Sequence, residues 1–283
     1  MKDQLQRYGV WKVADTWTPA LAKELETLGF GALWIGGSKD SELHVVEQLL
    51  QATENIVIAT GIINVWSTDA DIVGPAFHRI EQRFPGRFVL GIGAGHRESN
   101  QSVYDKPYTA VKHYLDRLDV GDVPCDRRVL AALGPDMVRL SGRRSLGAHP
   151  YLTIPEHTKK ARDLLGPLPL LAPEQKVVLG SDPSITRAVG RAFVDDPYLQ
   201  RVNYRNNLLS LGYSEDEMIN GGSDRLIDDL VLQGTAARVA ERLEGGHHAA
   251  GADHVAIQLL ADGAPTVESY RELAHALGLR RAR

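Results

Sequence analysis

Short apolar runs alternate with amphipathic stretches along nearly the whole chain. The runs fall at residues 8–11, 32–35, 56–63, 88–92, 129–133, 147–152, 176–179 and 254–260. Several, such as Gly31-Ala32-Leu33-Trp34-Ile35, are apolar at every position, as expected of parallel strands buried on both faces. Between them the apolar spacing changes to three and four residues, as in Leu21, Leu25 and Leu28, which predicts helices with one buried face. Eight strand–helix units in 283 residues predict an α/β fold, a (β/α)8 TIM barrel forming a single domain over 1–283. Such a barrel carries its active site at the C-terminal ends of the strands.

Local signals place the boundaries. Thr18 as cap and Pro19 at the first helical position open one helix, and Gly29 closes it. Pro85-Gly86 ends another near Phe84. Further helices are expected at about 43–53, from Pro107 to Leu118, at 136–143 and from Pro155. The rhythm breaks after the seventh run. Residues 181–234 read as a helical insertion, with segments at 184–193, 197–211, 215–219 and 225–232, before a last outer helix at 235–243. A connection on that side of a barrel usually has about 2–6 residues. The insertion therefore reads either as a wall or lid over a ligand or as an oligomer contact.

Composition narrows the function. The net charge of −4 gives no basic footprint for nucleic acid. The single cysteine, Cys125, excludes an internal disulfide and a thiolate zinc cluster. No apolar run approaches the ~20 residues that span a bilayer, and the polar start Met1-Lys2-Asp3-Gln4 carries no signal-peptide pattern, so a cytoplasmic protein is expected.

The chemistry-bearing residues gather at the strand ends. Gly36-Gly37, Gly61-Ile62, Gly93-Ala94-Gly95-His96 and Leu133-Gly134-Pro135 offer backbone that a ligand can approach closely. Gly134-Pro135 at a helix start adds free N–H groups. The chain turns polar after Gly95 (His96-Arg97-Glu98-Ser99-Asn100-Gln101) instead of entering a helix, which argues against a dinucleotide fingerprint. His96 and His149 stand at the mouths of strands four and six and are candidate proton-exchanging or ligand-binding groups. His44, His113 and His275 read as surface residues of helices, and His247-His248 as solvated residues at a helix end. No metal-ligand spacing and no nucleophile elbow occurs, so no metal is expected.

Three strings then carry a resemblance. Ile58-Ala59-Thr60-Gly61-Ile62-Ile63-Asn64-Val65-Trp66, Pro85-Gly86-Arg87-Phe88-Val89-Leu90-Gly91-Ile92-Gly93 and Gly147-Ala148-His149-Pro150-Tyr151-Leu152 resemble the bacterial luciferase-like monooxygenase superfamily. The last, with Pro155-Glu156-His157 and Val202-Asn203-Tyr204-Arg205-Asn206-Asn207-Leu208, is similar to an actinobacterial branch of coenzyme F420-dependent oxidoreductases. The resemblance implies a usually dimeric barrel holding a flavin or deazaflavin across the strand ends. It implies a non-prolyl cis peptide at Gly61-Ile62 beneath the ring, and contacts from Gly36, Gly61, Ile62, Gly93, Ala94, Gly95, His96, Leu133, Gly134, Pro135 and His149. The related sugar-phosphate dehydrogenases carry an acidic residue and a histidine at the end of strand two. Gly36-Gly37 stands there in this chain, so that substrate chemistry is not expected, and His96 is the candidate catalytic proton donor. The leading expectation is hydride transfer between coenzyme F420 and a small organic substrate in a homodimer. An FMN-dependent monooxygenase and a non-catalytic deazaflavin-binding protein are the alternatives.

Overall fold

The computed structural model describes residues 1–99 and 106–280. Its strands are β1 (Tyr8–Val13), β2 (Ala32–Gly36), β3 (Val57–Thr60), β4 (Ile63–Asn64), β5 (Phe88–Gly93), β6 (Arg128–Leu130), β7 (Gly147–Ala148), β8 (Leu170–Leu171), β9 (Glu174–Leu179), β10 (Val231–Gly234) and β11 (Val255–Leu260). Every ladder between them is parallel. The sheet runs β10-β9-β11-β1-β2-β3-β5-β6-β7-β8, with β4 on β5. Its far ends meet, because β8 and β9 are separated only by Ala172-Pro173. At that join Ala172 N donates to Ala148 O (2.9 Å), Glu174 N to Pro150 O (2.8 Å) and Ala256 N to Pro173 O (2.9 Å). The result is a curled, TIM-barrel-like α/β fold.

Helices α1 (Pro19–Thr27), α2 (His44–Ala52), α3 (Ala70–Arg83), α4 (Pro107–Val120), α5 (Pro135–Arg144) and α6 (Pro155–Leu165) follow successive strands. Then come α7 (Pro183–Asp195), α8 (Val202–Ser210) and α9 (Asp224–Leu230) between β9 and β10, and finally α10 (Ala236–Leu243) and α11 (Val267–Ala276). The sequence signals act where expected: Thr18 Oγ1 accepts from Leu21 N, and Gly29 follows α1 at φ 90°. The largest core cluster lies between sheet and helices, with Leu33, Ile35, Leu50, Phe77 and Leu115 all buried. A second cluster joins α8, α9, β9 and β10 through Leu208, Leu226, Ile227, Val178 and Val231.

Several boundaries differ from expectation for physical reasons. The third run divides into β3 and β4 at a non-prolyl cis peptide, Gly61-Ile62. The sixth shrinks to Gly147–Ala148, because Leu152 N turns to the Glu174 carboxylate (3.0 Å). The seventh starts earlier, in β8 and at Glu174. The helix expected to reach residue 232 stops at Leu230, and Val231 opens an unforeseen strand. Gly190 makes that strand possible, since a Cβ there would lie 3.1 Å from the Val231 side chain, so α7 can press flat on β10. The segments at 197–211 and 215–219 hold 3-10 turns (Tyr198–Gln200, Asp216–Met218) besides α8.

His44, His113 and His275 are exposed as expected. His247 is not: it is 1% exposed. Residues Glu244–His248 form a π turn. The wider turn shifts the helical phase and carries His247 inward. There its Nε2 lies 2.9 Å from Gln175 Oε1 and its Nδ1 2.7 Å from Thr158 Oγ1.

Candidate active site

A cavity of about 660 Å³ opens at the C-terminal ends of the strands. Trp11 and Gly36 reach it from β1 and β2, Gly61 and Ile62 from beyond β3, and Ala94, Gly95 and His96 from beyond β5. Leu133 and Gly134 enter after β6, and His149 and Tyr151 after β7. Tyr198, Asn203 and Tyr204 line the facing side. Of the eleven expected site residues, nine line the cavity. Gly93 sits behind it, where a Cβ would meet Ala131 at 2.8 Å and Ile62 at 3.0 Å. Pro135 lines a neighbouring pocket of about 480 Å³ that shares Leu133, Gly134 and Asn203. Asn100 and Gln101, in the polar excursion after Gly95, lie outside the described residues.

The floor is built from close packing. Trp11 Nε1 donates to Gly61 O (3.0 Å). A Cβ on Gly36 would come within 2.0 Å of the Trp11 ring, and one on Gly61 within 2.9 Å of Trp11 Nε1. Glycine is therefore required sterically at both positions. Beneath, Trp34 stacks on His149 with ring centres 4.2 Å apart and donates from Nε1 to His254 Nε2 (3.0 Å).

His149 is 1% exposed, and its Nδ1 lies 2.7 Å from Ala172 O. A carbonyl can only accept, so the ring proton sits on Nδ1 and Nε2 carries a lone pair. Nε2 has no protein partner and lies 3.1 Å from where a Gly61 Cβ would be. Burial pushes this imidazole down to about 4. It is thus a neutral, acceptor-only group on the cavity floor.

His96 stands at the mouth, hydrogen-bonded to Asn203 and 5.4 Å from the Tyr204 ring centre. Burial, then the Arg201 charge, lower its pKa, against the pull of Glu98 and Asn203. The facing wall is aromatic. The Tyr198 ring centre lies 5.4 Å from those of Tyr151 and Tyr204. Behind Tyr151 a fully buried ion pair joins Lys176 Nζ to Glu174 Oε1 at 3.1 Å. Lys176 Nζ also donates to Tyr151 Oη (2.9 Å) and Gln258 Oε1 (3.0 Å), and the hydroxyls of Tyr151 and Tyr198 are 2.7 Å apart. Burial lowers the Lys176 pKa and raises that of Glu174, each opposed by attraction to the other.

Sequence reasoning missed Trp11, the three tyrosines and this ion pair. Trp11 and Tyr151 lie at the ends of the apolar runs 8–11 and 147–152, and that position is the signal that places them at strand mouths. Nothing in the chain marks Lys176 and Glu174 as inward-facing. No carboxylate is among the described residues that line the cavity, and the described residues contain no His/Cys/Asp/Glu group able to hold a metal. No described helix is long and apolar enough to cross a membrane.

Comparison with known proteins agrees with this architecture. Residues 16–120 match the model of the luciferase-like monooxygenase family, which bears out the superfamily resemblance. The whole fold is shared with solved structures. One is an F420-dependent secondary alcohol dehydrogenase in complex with an F420-acetone adduct (TM-score 0.71, 15% identity, 98% of this chain and 99% of that one). Another is the coenzyme F420-dependent tetrahydromethanopterin reductase of Methanopyrus kandleri (0.73, 15%, 96% and 98%). A third is the oxygenating constituent of 3,6-diketocamphane monooxygenase from Pseudomonas putida, in complex with FMN (0.71, 15%, 98% and 100%). No curated protein sequence matches the chain.

Proposed function

We propose that the protein is a coenzyme F420-dependent oxidoreductase that moves a hydride between the deazaflavin and a small organic substrate. The observation that carries this reading is the cavity floor. Gly36 and Gly61 let the Trp11 ring pack closely against their backbone at the cavity, and the buried His149 Nε2 beside Gly61 has no protein partner. A buried acceptor without a partner is costly, and an N–H on a pyrimidine-type ring would satisfy it. Planar flavin-type rings fit this donor and steric pattern. Such a ring supplies two-electron hydride chemistry, and the protein positions and shields it.

In this reading the fold is a closed (β/α)8 barrel in one domain, and the insertion expected over 181–234 ends at Leu230, where β10 begins, and walls the site through Tyr198, Asn203 and Tyr204. Gly36, Gly61, Ile62, Ala94 and Gly95 flank the ring, with Gly93 supporting them from behind. Leu133, Gly134 and Pro135 meet its side chain. His96 is the catalytic residue at the mouth, exchanging a proton with the substrate. The deazaflavin is favoured over FMN because the strings shared with the F420 branch, 147–152 and 202–208, contribute His149, Tyr151, Asn203 and Tyr204 to the cavity.

Fluorescence titration of the purified protein with coenzyme F420, beside an identical FMN titration, tests the reading. Micromolar or tighter binding of F420 with little of FMN is expected. Preference for FMN would replace this proposal with a flavin monooxygenase, and turnover of no substrate despite tight F420 binding would leave a coenzyme-storing protein.

A further inference from the structure

We propose that the second pocket, beside the main cavity, is a subsite for an amide-linked acidic chain carried on the coenzyme's side chain. This assignment deepens the coenzyme F420 reading and rests on it.

The sequence prepares this pocket with a helical period. In α8 the residues Asn203, Asn206, Asn207 and Ser210 recur at i, i+3, i+4 and i+7, the spacing that puts side chains on one helix face. All four line the pocket of about 480 Å³. Tyr204 and Leu208, on another face of the same helix, are buried in the second core cluster. The apolar face therefore fixes α8, and the amide face is left to the pocket. Asparagine is a poor helix former, so three of them in a nine-residue helix break a local rule, as functional sites do. Helix α6 supplies another wall with His157, Lys160, Ala161 and Leu164, again at i, i+3, i+4 and i+7. The pocket shares Leu133, Gly134 and Asn203 with the main cavity, so one ligand can occupy both.

Two of the lining groups lack a protein partner, and they are of opposite kind. His157 is 5% exposed, and its Nε2 lies 2.8 Å from Leu133 O. A carbonyl only accepts, so Nε2 carries the proton and Nδ1 offers a lone pair. Burial lowers the His157 pKa, with the Lys160 charge in support and the bond to Leu133 opposed, so the ring stays neutral. Its Nδ1 has no hydrogen-bond partner, and neither has Asn207 Nδ2, a donor. A secondary amide carries the complement of both, an N–H for His157 and a C=O for Asn207.

Charge extends the chemistry. Lys160 is the one ionised group among the described residues lining this pocket, and it is exposed. Its Nζ donates to Ser210 O at 3.0 Å, which leaves protons for a carboxylate. Walls of this kind select a chain of amides that also carries carboxylates. FMN ends at its phosphate and has no such chain, whereas coenzyme F420 bears γ-linked glutamates beyond its phosphate. The pocket thus lets the protein tell the two apart at a distance from the ring.

Three forms of the deazaflavin separate the contributions: the ring with its ribityl chain alone, the coenzyme ending at its phospholactyl group, and the coenzyme with two glutamates. Each is titrated by fluorescence into cofactor-free protein. The wild-type protein should bind the diglutamyl form about tenfold tighter than the phospholactyl form, as a newly satisfied donor–acceptor pair would give. Asn207→Leu should erase that advantage and hold the phospholactyl form within about twofold of wild type. It should also keep its melting temperature, since the lost Nδ2 serves no protein group. Lys160→Gln, at an exposed position, should cut the advantage about threefold and weaken its salt dependence. If melting curves show Asn207→Leu unfolded, Lys160→Gln carries the same comparison. Equal affinity for the two longer forms in wild type, or an advantage that survives the substitutions, would overturn the subsite while leaving the coenzyme assignment standing. Binding of none of the three forms would remove the coenzyme assignment and the subsite with it.

Discussion

At Gly61 a single methyl group is enough to disturb the site. Its carbon would sit 2.9 Å from Trp11 Nε1 and 3.1 Å from His149 Nε2. Both neighbours line the cavity, so the strain of Gly61→Ala is expected to be relieved by tilting Trp11 into the space for the ring. Affinity for F420 should fall about tenfold, roughly 1.4 kcal/mol, with a smaller loss of stability in cofactor-free protein. Titration and thermal melting of the same preparation measure both, and equal damage to each would make the glycine purely structural. Residues of this kind were legible in the sequence because glycine and histidine at a strand end are conspicuous. Tyr151, Tyr198 and Tyr204 were not, since they come from separate segments and only the fold brings them to one wall. Lys176 was hidden for the opposite reason: a lysine beginning a strand reads as solvated, and only its ion pair with the buried Glu174 and its hydrogen bond to the half-buried Gln258 reveal that it faces inward.

Among the elements, the strands up to β6 follow the sequence closely, because hydrophobic runs bounded by glycine and proline specify them locally. The region from β7 to β10 was harder to read. There the strands are short and paired partly through side chains, and Val231–Gly234 continues the apolar run of α9 without a breaker. Periodicity cannot separate a helix end from a buried strand in such a run. The β3–β5 contact shows how much one side chain can hold. Thr60 Oγ1 donates to Gly91 O (2.9 Å) and accepts from Gly91 N (2.7 Å), while a Cβ on Gly91 would fall 1.8 Å from Thr60 O. Thr60→Val keeps the shape but removes both hydrogen bonds from a buried place. A loss of roughly 2–4 kcal/mol is expected, because two backbone groups lose the hydroxyl that serves them. Urea unfolding would register it as a lower midpoint at an unchanged slope, and an unchanged midpoint would show that the sheet repairs itself.

For the whole molecule, the buried histidines set a pH limit. Burial pushes His149 and His254 down to about 4 and His247 to about 3. Below the ordinary histidine pKa of about 6.5 the unfolded chain therefore binds protons that the folded one refuses. Stability is full above that value and drains as pH falls toward 4, by about 1.4 kcal/mol per pH unit for each of these residues. Between pH 7.5 and pH 5, urea unfolding should show a loss of several kcal/mol, and His247→Gln should flatten that slope by at most about a third, because His96, His157 and His248 are also held below the ordinary value by burial. A flat profile would mean that these rings protonate without unfolding. The register of the sheet has a consequence in time as well. The first strand, β1, pairs on one side with β2 but on the other with β11, Tyr8 opposite Val255. At about 5–20 residues per second of synthesis, the far partner emerges on the order of ten to fifty seconds after the near one. For that interval the nascent chain carries an open strand edge, and its closure waits until Val255 and its neighbours in β11 have been made.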